Sequence, residues 1–377
     1  MKTKIVPFAA LLFLCSGAIA QNPAEPAERK LKVVVTENVK AEEQRESSRP
    51  RTVVTAEPSA TPVAAPRIAY PNTGRRTPSF SEIRAKIADA KRRLQTRPIT
   101  TASRGNAYEG VEAVRVAFFD WDRNDIDFVM LAKDAFLSTA SDKAVVSEGG
   151  RNMIVRTIRG NGVNTPVIIF DERNEQHLPL LVQYPRVDKG VYQETAYYIS
   201  THPGIVTPEV VAAGQIYVKN VIDTARERLG RLGFRVDPKV ADIAERLAVV
   251  EHVDHFRFRN EPHPDIYNDV FTLFALNEGQ TYRYAVSSAG AGGMVQMIPS
   301  TYRMVRAQFP NVPLNADFVE GMRDHLNAAQ AMLLYMQWTW DDLKSRPSVS
   351  DALLRGLATP EQIMAAGYNS NPARLPG

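Results

Sequence analysis

Glu278 stands at a position that suits acid catalysis. It ends an apolar helical pattern in which Phe271 and Phe274 share its helix face. A loop of small residues, including three glycines at positions 290–293, follows in the same stretch. A carboxyl group held in apolar surroundings keeps its proton near neutral pH. Such a group can donate that proton to a leaving oxygen, which is a step that cleaves a glycosidic bond.

Glu251 is the best rival acid in the chain. Leu247, Val250 and Asp254 give it surroundings of mixed polarity. No loop of small residues follows it in the sequence, so the pattern favours Glu278.

A metal site is a weaker interpretation of the neighbouring histidines. His252 and His255 are three residues apart and can share a helix face, with His263 nearby. The spacing differs from the His-Glu-x-x-His form that places two ligands one turn apart beside a base. We therefore expect a hydrogen-bonded or surface cluster, and neither a metal nor a cofactor.

The stretch from Glu278 to Thr301 resembles the catalytic domain of lytic transglycosylases related to the soluble type and to goose-type lysozyme. That family has a catalytic Glu, a fixed spacer and then Ala-x-Ser-x-x-Gly-Ala-x-Gly-Leu-Met-Gln-x-x-Pro-x-Thr. The matching positions, in order and without a gap, are Glu278, Ala285, Ser287, Gly290, Ala291, Gly293, Gln296, Pro299 and Thr301. A second family motif, Ala-Tyr-Asn-Ala-Gly, is echoed by residues 367–371, and the resemblance covers about residues 237–377.

The resemblance implies a peptidoglycan lytic transglycosylase. Glu278 would protonate the oxygen between N-acetylmuramic acid and N-acetylglucosamine and then act as base. The muramic acid 6-hydroxyl would attack its own anomeric carbon, giving a 1,6-anhydro end without a second carboxylate. The residues expected to bind the glycan strand are Ser287, Gln296, Tyr368 and Asn369, with Met294 and Val295 forming groove wall or core.

Three departures from the family pattern keep two alternatives open. Gly279 replaces the usual Ser after the acid, Met294-Val295 replaces Leu-Met, and Ser370-Asn371 replaces Ala-Gly. These changes bear on efficiency and substrate fit more than on reaction class. The alternatives are a lysozyme-like hydrolase and a catalytically weakened protein that binds the cell wall or acts as a scaffold.

Charge and cysteine usage indicate an exported protein. Residues 1–20 have two lysines, an apolar run and a small-x-small site, which is typical of a cleaved signal; a lipoprotein signal acylated at Cys15 is the less favoured reading. Cys15 is the only cysteine, so the mature chain could form no disulfide, which fits a periplasmic or cell-envelope location. We expect no membrane span in the mature chain.

The basic charge lies in a tail. Residues 21–110 hold 17 Lys and Arg against 10 Asp and Glu, while the whole chain is only +4, so the remainder is acidic. A nucleic-acid surface on the folded part is therefore not supported.

Periodicity predicts an α+β multidomain chain, a β-rich N-terminal module followed by a lysozyme-like all-α catalytic domain. Strands are predicted at Ala113–Phe119, Asn152–Ile158, Pro166–Phe170, Leu178–Tyr184 and Glu194–Ser200. Helix starts are predicted at Thr207-Pro208, Asp237-Pro238, Pro264, Pro299, Asn315 and Thr359. The expected segments are a signal peptide at 1–20, a disordered basic linker at 21–110 with a short helix at 82–97, a β-rich accessory module at 111–205, a connecting helix at 206–236 and the catalytic domain at 237–377.

The role of the β-rich module stays open at this stage. It could brace the helical domain, bind the glycan or bind a protein partner in the envelope.

Overall fold

The structure is a computed structural model that describes residues 76–99, 112–287 and 290–370, without the side chains of Asn369 and Ser370. The predicted signal peptide, residues 1–20, and most of the predicted linker, residues 21–110, lie outside the described residues.

Seven antiparallel strands form one sheet. Their bounds are β1 Ala113–Asp120, β2 Asp125–Ala132, β3 Lys143–Val146, β4 Asn152–Thr157, β5 Val167–Asp171, β6 Gln176–Asp188 and β7 Val191–Tyr198. The order is β2-β1-β6-β5-β4-β3, and β7 pairs with β6. The long strand β6 pairs with β5 at its start, β1 through its middle and β7 towards its end. Strand β6 thus pairs with three neighbouring strands, and the sheet curls into a half-barrel over residues 113–198.

A helix from the predicted linker covers the outer face of this sheet. Helix α1, Phe80–Gln95, begins with a capping box in which the side chains of Ser79 and Glu82 each bond the other's backbone N–H. Its buried stripe is Ile83, Ile87, Ala90 and Leu94, the stripe that the sequence predicts. These side chains pack with apolar residues of β1, β2 and β6. Strand β1 is consequently buried on both faces.

The rest of the described chain is helical. The helices are α2 Lys133–Leu137, α3 Pro208–Arg231, α4 Pro238–Val250, α5 His255–Asn260, α6 His263–Asn277, α7 Pro299–Gln308, α8 Phe318–Arg323, α9 His325–Ser345, α10 Pro347–Leu354 and α11 Pro360–Ser370. Six of them carry proline in the first turn. The sequence predicts five of these starts, at Pro208, Pro238, Pro264, Pro299 and Pro360, and misses the start of α10 at Pro347. Among the described helices, none is long and apolar enough to cross a membrane.

The predicted fold class is wrong. The half-barrel and the helices share one hydrophobic core, with Val116 and Phe118 of the sheet in the same cluster as Val218 of α3 and Phe274 of α6. Both parts belong to one compact unit. The structure therefore has a β half-barrel followed by a helical region, and not a separate β-rich module followed by a lysozyme-like domain. The physical reason is that the inner face of the sheet is apolar and the helices bury it.

Close contact between α3 and α6 holds the helical region together. At Gly214 of α3, an added Cβ would lie 1.9 Å from the carbonyl oxygen of Phe271 in α6. Only glycine permits this approach of two helix backbones.

Gly214→Ala should therefore destabilise the protein by about 1–3 kcal/mol or more, because the helices must move apart. Gly230→Ala in the same helix is the matched control. No atom lies within 4 Å of a Cβ at Gly230, so alanine should be neutral or add up to about 1 kcal/mol. Urea unfolding monitored by circular dichroism measures both, and equal effects of the two substitutions would refute the close-packing argument.

Candidate active site

Glu278 does not lie in an enclosed apolar site. It follows the last residue of α6, and its carboxylate pairs with Arg84 of α1 at 3.0 Å. Both side chains are more than half exposed, at 55% and 56%. This exposed position beside an arginine differs from the enclosed apolar surroundings that the sequence predicts for Glu278.

The backbone at Glu278 is nevertheless tightly fixed. Its φ is +45°, a conformation that costs a non-glycine residue on the order of 1–3 kcal/mol. Asn277 ties the helix end to the residue after β7, because its side chain accepts from the Ile199 N–H at 2.9 Å and donates to the Ile199 carbonyl at 2.8 Å. The Thr281 hydroxyl lies 3.0 Å from the Leu273 carbonyl and 2.8 Å from that of Glu278. These contacts explain the turn at Glu278 structurally, because they join the end of α6 to the segment after β7.

A cleft of about 530 Å³ opens elsewhere, between the half-barrel and the helical region. This volume is within the range of roughly 300–1,000 Å³ that is usual for ligand sites. One wall comes from the β4–β5 loop and β6, and the other from the residues after α4, the inner face of α6 and the glycine-rich loop. Ser287 and Gln296 line this cleft, as does Glu251, whereas Glu278 does not.

Glu251 has the properties that were expected of Glu278. It stands at the end of α4, directly after Val250, and its side chain is partly buried in the cleft. Burial raises the pKa of its carboxyl to about 7. Within the described residues it has no hydrogen-bond or ion-pair partner, so nothing there offsets the loss of hydration of the charged form.

The other carboxylates in the cleft are already engaged. Asp269 pairs with Arg257 at 2.7 Å. Asp254 caps α5 by accepting from the Arg257 N–H at 2.9 Å. Glu251 is therefore the acid in this cleft that is best suited to give a proton to a ligand and take it back.

His252 connects Glu251 to the glycine-rich loop. Its ring stacks on Tyr282, with centroids 3.3 Å apart and planes 2° apart. Burial lowers the pKa of His252 to about 3, so the ring is neutral. A carbonyl oxygen only accepts, so Nε2 carries the proton and donates it to the Met294 carbonyl at 2.8 Å.

Glycines and short hydrogen bonds shape the described part of the glycine-rich loop. Gly293 has a φ of +67°, and a Cβ there would lie 2.2 Å from the Met322 carbonyl. The Ser287 hydroxyl accepts from the Ala291 N–H at 3.0 Å, and the Gln296 side-chain amide donates to the Gly293 carbonyl at 2.9 Å. The side chains that face the cleft are thereby held in place.

Of the remaining residues predicted to bind the glycan, some lie in the hydrophobic core and one contacts the glycine-rich loop. Met294 and Val295 are fully buried, so they are core and not groove wall. The Tyr368 hydroxyl donates to the Val295 carbonyl at 2.8 Å, and burial first, then the charge of Glu251, raises the pKa of Tyr368. The structure thus places Ser287 and Gln296 in the same cleft as Glu251, and Tyr368 contacts the glycine-rich loop without lining the cleft. The side chain of Asn369 lies outside the described atoms.

The three histidines near Glu251 do not converge on one point. His263 stacks on Phe258 and bonds its carbonyl, whereas His252 bonds Met294. The one group of potential metal ligands in the described parts is Asp120, Asp122 and His177 in the half-barrel. Arg151 already pairs with both of these carboxylates, at 2.6 and 3.1 Å, so they belong to a network of ion pairs.

A signal for Glu251 was present in the sequence. The apolar stripe of α4 ends at this residue, just as the stripe of α6 ends at Glu278. Helix α4 ends at Val250, and Asp254 then caps a new helix, α5.

Comparisons of the chain with protein-family models, curated proteins and solved structures found no match.

The raised pKa of Glu251 predicts a specific pH dependence of stability. Unfolding returns this carboxyl to its ordinary pKa of 4.5, whereas the folded value is about 7. The contribution of the protonated group is complete below pH 4.5 and is lost as the pH rises to 7, because only the unfolded chain ionises in that window. Glu251→Gln should remove this slope, so the stability of the variant relative to the native protein should rise with pH. Urea unfolding at several pH values tests this, and parallel curves for the two proteins would contradict it.

Proposed function

We propose that this protein is a peptidoglycan lytic transglycosylase in which Glu251, and not Glu278, is the general acid and base. The observation that carries the proposal is a carboxyl without a partner among the described residues, with a pKa of about 7, in a cleft lined by Ser287 and Gln296. The resemblance of the loop that supplies Ser287 and Gln296 to the transglycosylase motif supports the substrate class. The glycine-rich loop packs beside Glu251 through the contact between His252 and Met294.

The reaction needs one carboxyl group. Protonated Glu251 gives its proton to the oxygen between N-acetylmuramic acid and N-acetylglucosamine as the bond from that oxygen to the muramic anomeric carbon breaks. The resulting carboxylate takes the proton of the muramic 6-hydroxyl while its oxygen bonds to the same carbon. The proton thus returns to Glu251, and the product is a 1,6-anhydro end. An intramolecular nucleophile is already positioned, so no second carboxylate has to activate water.

The cleft supports an enzyme more than a passive binding protein. A half-buried carboxyl without a partner among the described residues lowers stability at neutral pH, and proteins keep such groups mainly where they function. The predicted export of the chain would place it with this substrate in the periplasm or cell envelope. A protein partner that binds the half-barrel is an untested addition to this proposal.

Digestion of purified peptidoglycan, with mass spectrometry of the released sugar ends, tests the proposal. The native protein should release anhydro ends. Glu251→Gln should lower the rate by roughly 10²–10⁴-fold, the usual contribution of a general acid or base. Glu278→Gln is the matched control and should keep most of the activity. Because the acid form is required, the rate should fall as the pH rises above about 7.

Each other outcome has a distinct meaning. Reducing ends in place of anhydro ends would indicate a hydrolase. Binding to peptidoglycan without cleavage would indicate a wall-binding protein. Loss of activity in Glu278→Gln, with Glu251→Gln active, would return the catalytic role to Glu278.

A further inference from the structure

Arg159 lies in the cleft that holds Glu251, and it has no ion-pair partner among the described residues. It follows β4 and lines the half-barrel wall of the cleft. It is partly buried, and it forms no hydrogen bond or ion pair with the described residues. Two arginines elsewhere in the half-barrel do form ion pairs, since Arg115 contacts Glu148 at 2.7 Å and Arg151 contacts Asp120 at 2.6 Å. Arg159 therefore has donors to offer a ligand.

The acids near Arg159 form no direct ion pair with it among the described residues. Its surroundings include Asp254, Asp269 and Glu261, but Asp269 and Glu261 pair with Arg257 at 2.7 and 2.8 Å. Burial first, and then the positive charge of Arg257, lower the pKa of Arg159. A partly buried cation that forms no direct ion pair is unfavourable, and an anionic ligand would relieve that cost.

The loop that carries Arg159 is built to hold it still. The Ile158 N–H donates to the Pro166 carbonyl at 3.0 Å and closes the loop. The Asn161 N–H donates to the Thr165 hydroxyl at 2.8 Å. Gly160 has no room for a side chain, because a Cβ would lie 2.3 Å from the Leu137 carbonyl. A fixed loop spares a ligand the entropy cost of ordering the arginine backbone.

Arg186 adds a second cation to the same wall. It belongs to β6, lines the cleft and lies 4.8 Å from the centre of the Tyr284 ring. Within the described residues it has no ion pair. Two guanidinium groups on one wall, opposite a carboxyl that is neutral below pH 7, favour an anionic ligand.

We propose that the half-barrel contributes a carboxylate-binding subsite to the cleft. Arg159 is its main binding residue and Arg186 its second. Arginine suits this role because its planar fork matches both oxygens of a carboxylate. This inference rests on the proposed function, and it makes the cleft selective for acidic glycans over neutral ones. In peptidoglycan the carboxylate is either the free lactyl group of muramic acid or a carboxylate of the stem peptide.

Binding to the inactive Glu251→Gln protein tests the subsite without turnover. Isothermal titration calorimetry would use three ligands: chitohexaose, which has no carboxylate, glycan strands freed of peptides by an amidase, and strands with intact peptides. At least one acidic ligand should bind roughly ten-fold or more tightly than chitohexaose, the size of effect expected of charge-assisted hydrogen bonds. Preference for the amidase-treated strands would assign the lactyl carboxylate, and preference for the intact strands would assign the peptide.

Arg159→Gln, added to Glu251→Gln, should remove this preference and leave chitohexaose binding unchanged. Arg159→Lys should keep part of it, and it serves as the readout should the glutamine variant fail to fold. Arg156→Gln is the matched control, since Arg156 lies on β4, pairs with Asp142 and does not line the cleft.

Equal affinity for all three ligands, or a preference that survives in Arg159→Gln, would overturn the subsite while leaving the proposed reaction intact. Failure of all three ligands to bind would overturn both.

Discussion

The candidate site depends on the contact between His252 and the glycine-rich loop. The neutral ring lies flat against Tyr282 and donates to the Met294 carbonyl, which fixes the segment after α4 against the loop. On its other side the loop meets the Met322 carbonyl at Gly293 and the Tyr368 hydroxyl at Val295. Glu251, the residue next to His252, is thereby partly buried, and burial raises its pKa to about 7. Protonation of His252 would disrupt its stacking on Tyr282 and the site with it. The low pKa of His252 keeps the ring neutral.

The half-barrel is part of this site because the cleft exists only where it meets the helices. The helical region supplies the acid and the glycine-rich loop, and the half-barrel supplies the wall that carries Arg159. The shared hydrophobic core fixes the sheet to the helices, and the close approach at Gly214 fixes α3 to α6. Chemistry and selectivity would thus be divided between two parts of one folded unit, and a change in their packing would alter both.

Local patterns predicted most elements but not their assembly. Alternation and capping predicted strands β1 and β4 to β7 and, except for α10, the helices that begin with proline. Strand β3 was missed because it has only four residues, and β2 because its buried residues run together without alternation. The fold class was wrong because an apolar strand face does not tell which element covers it. Here helices from the following region cover it, which joins two predicted domains into one unit.

The same limit explains why the sequence favoured Glu278, whereas the structure places Glu251 in the cleft. Glu251 and Glu278 both end apolar helices, and only the spacing to the glycine-rich loop separated them. Spacing along the chain measures proximity in space only when no element intervenes. Here α5 and α6 stand between Glu251 and the loop, and the His252 hydrogen bond joins residues 42 apart. The surroundings of each carboxyl depend on what packs over it. Arg84 and solvent reach Glu278, whereas Glu251 is partly buried without an ion pair among the described residues, and burial raises its pKa to about 7.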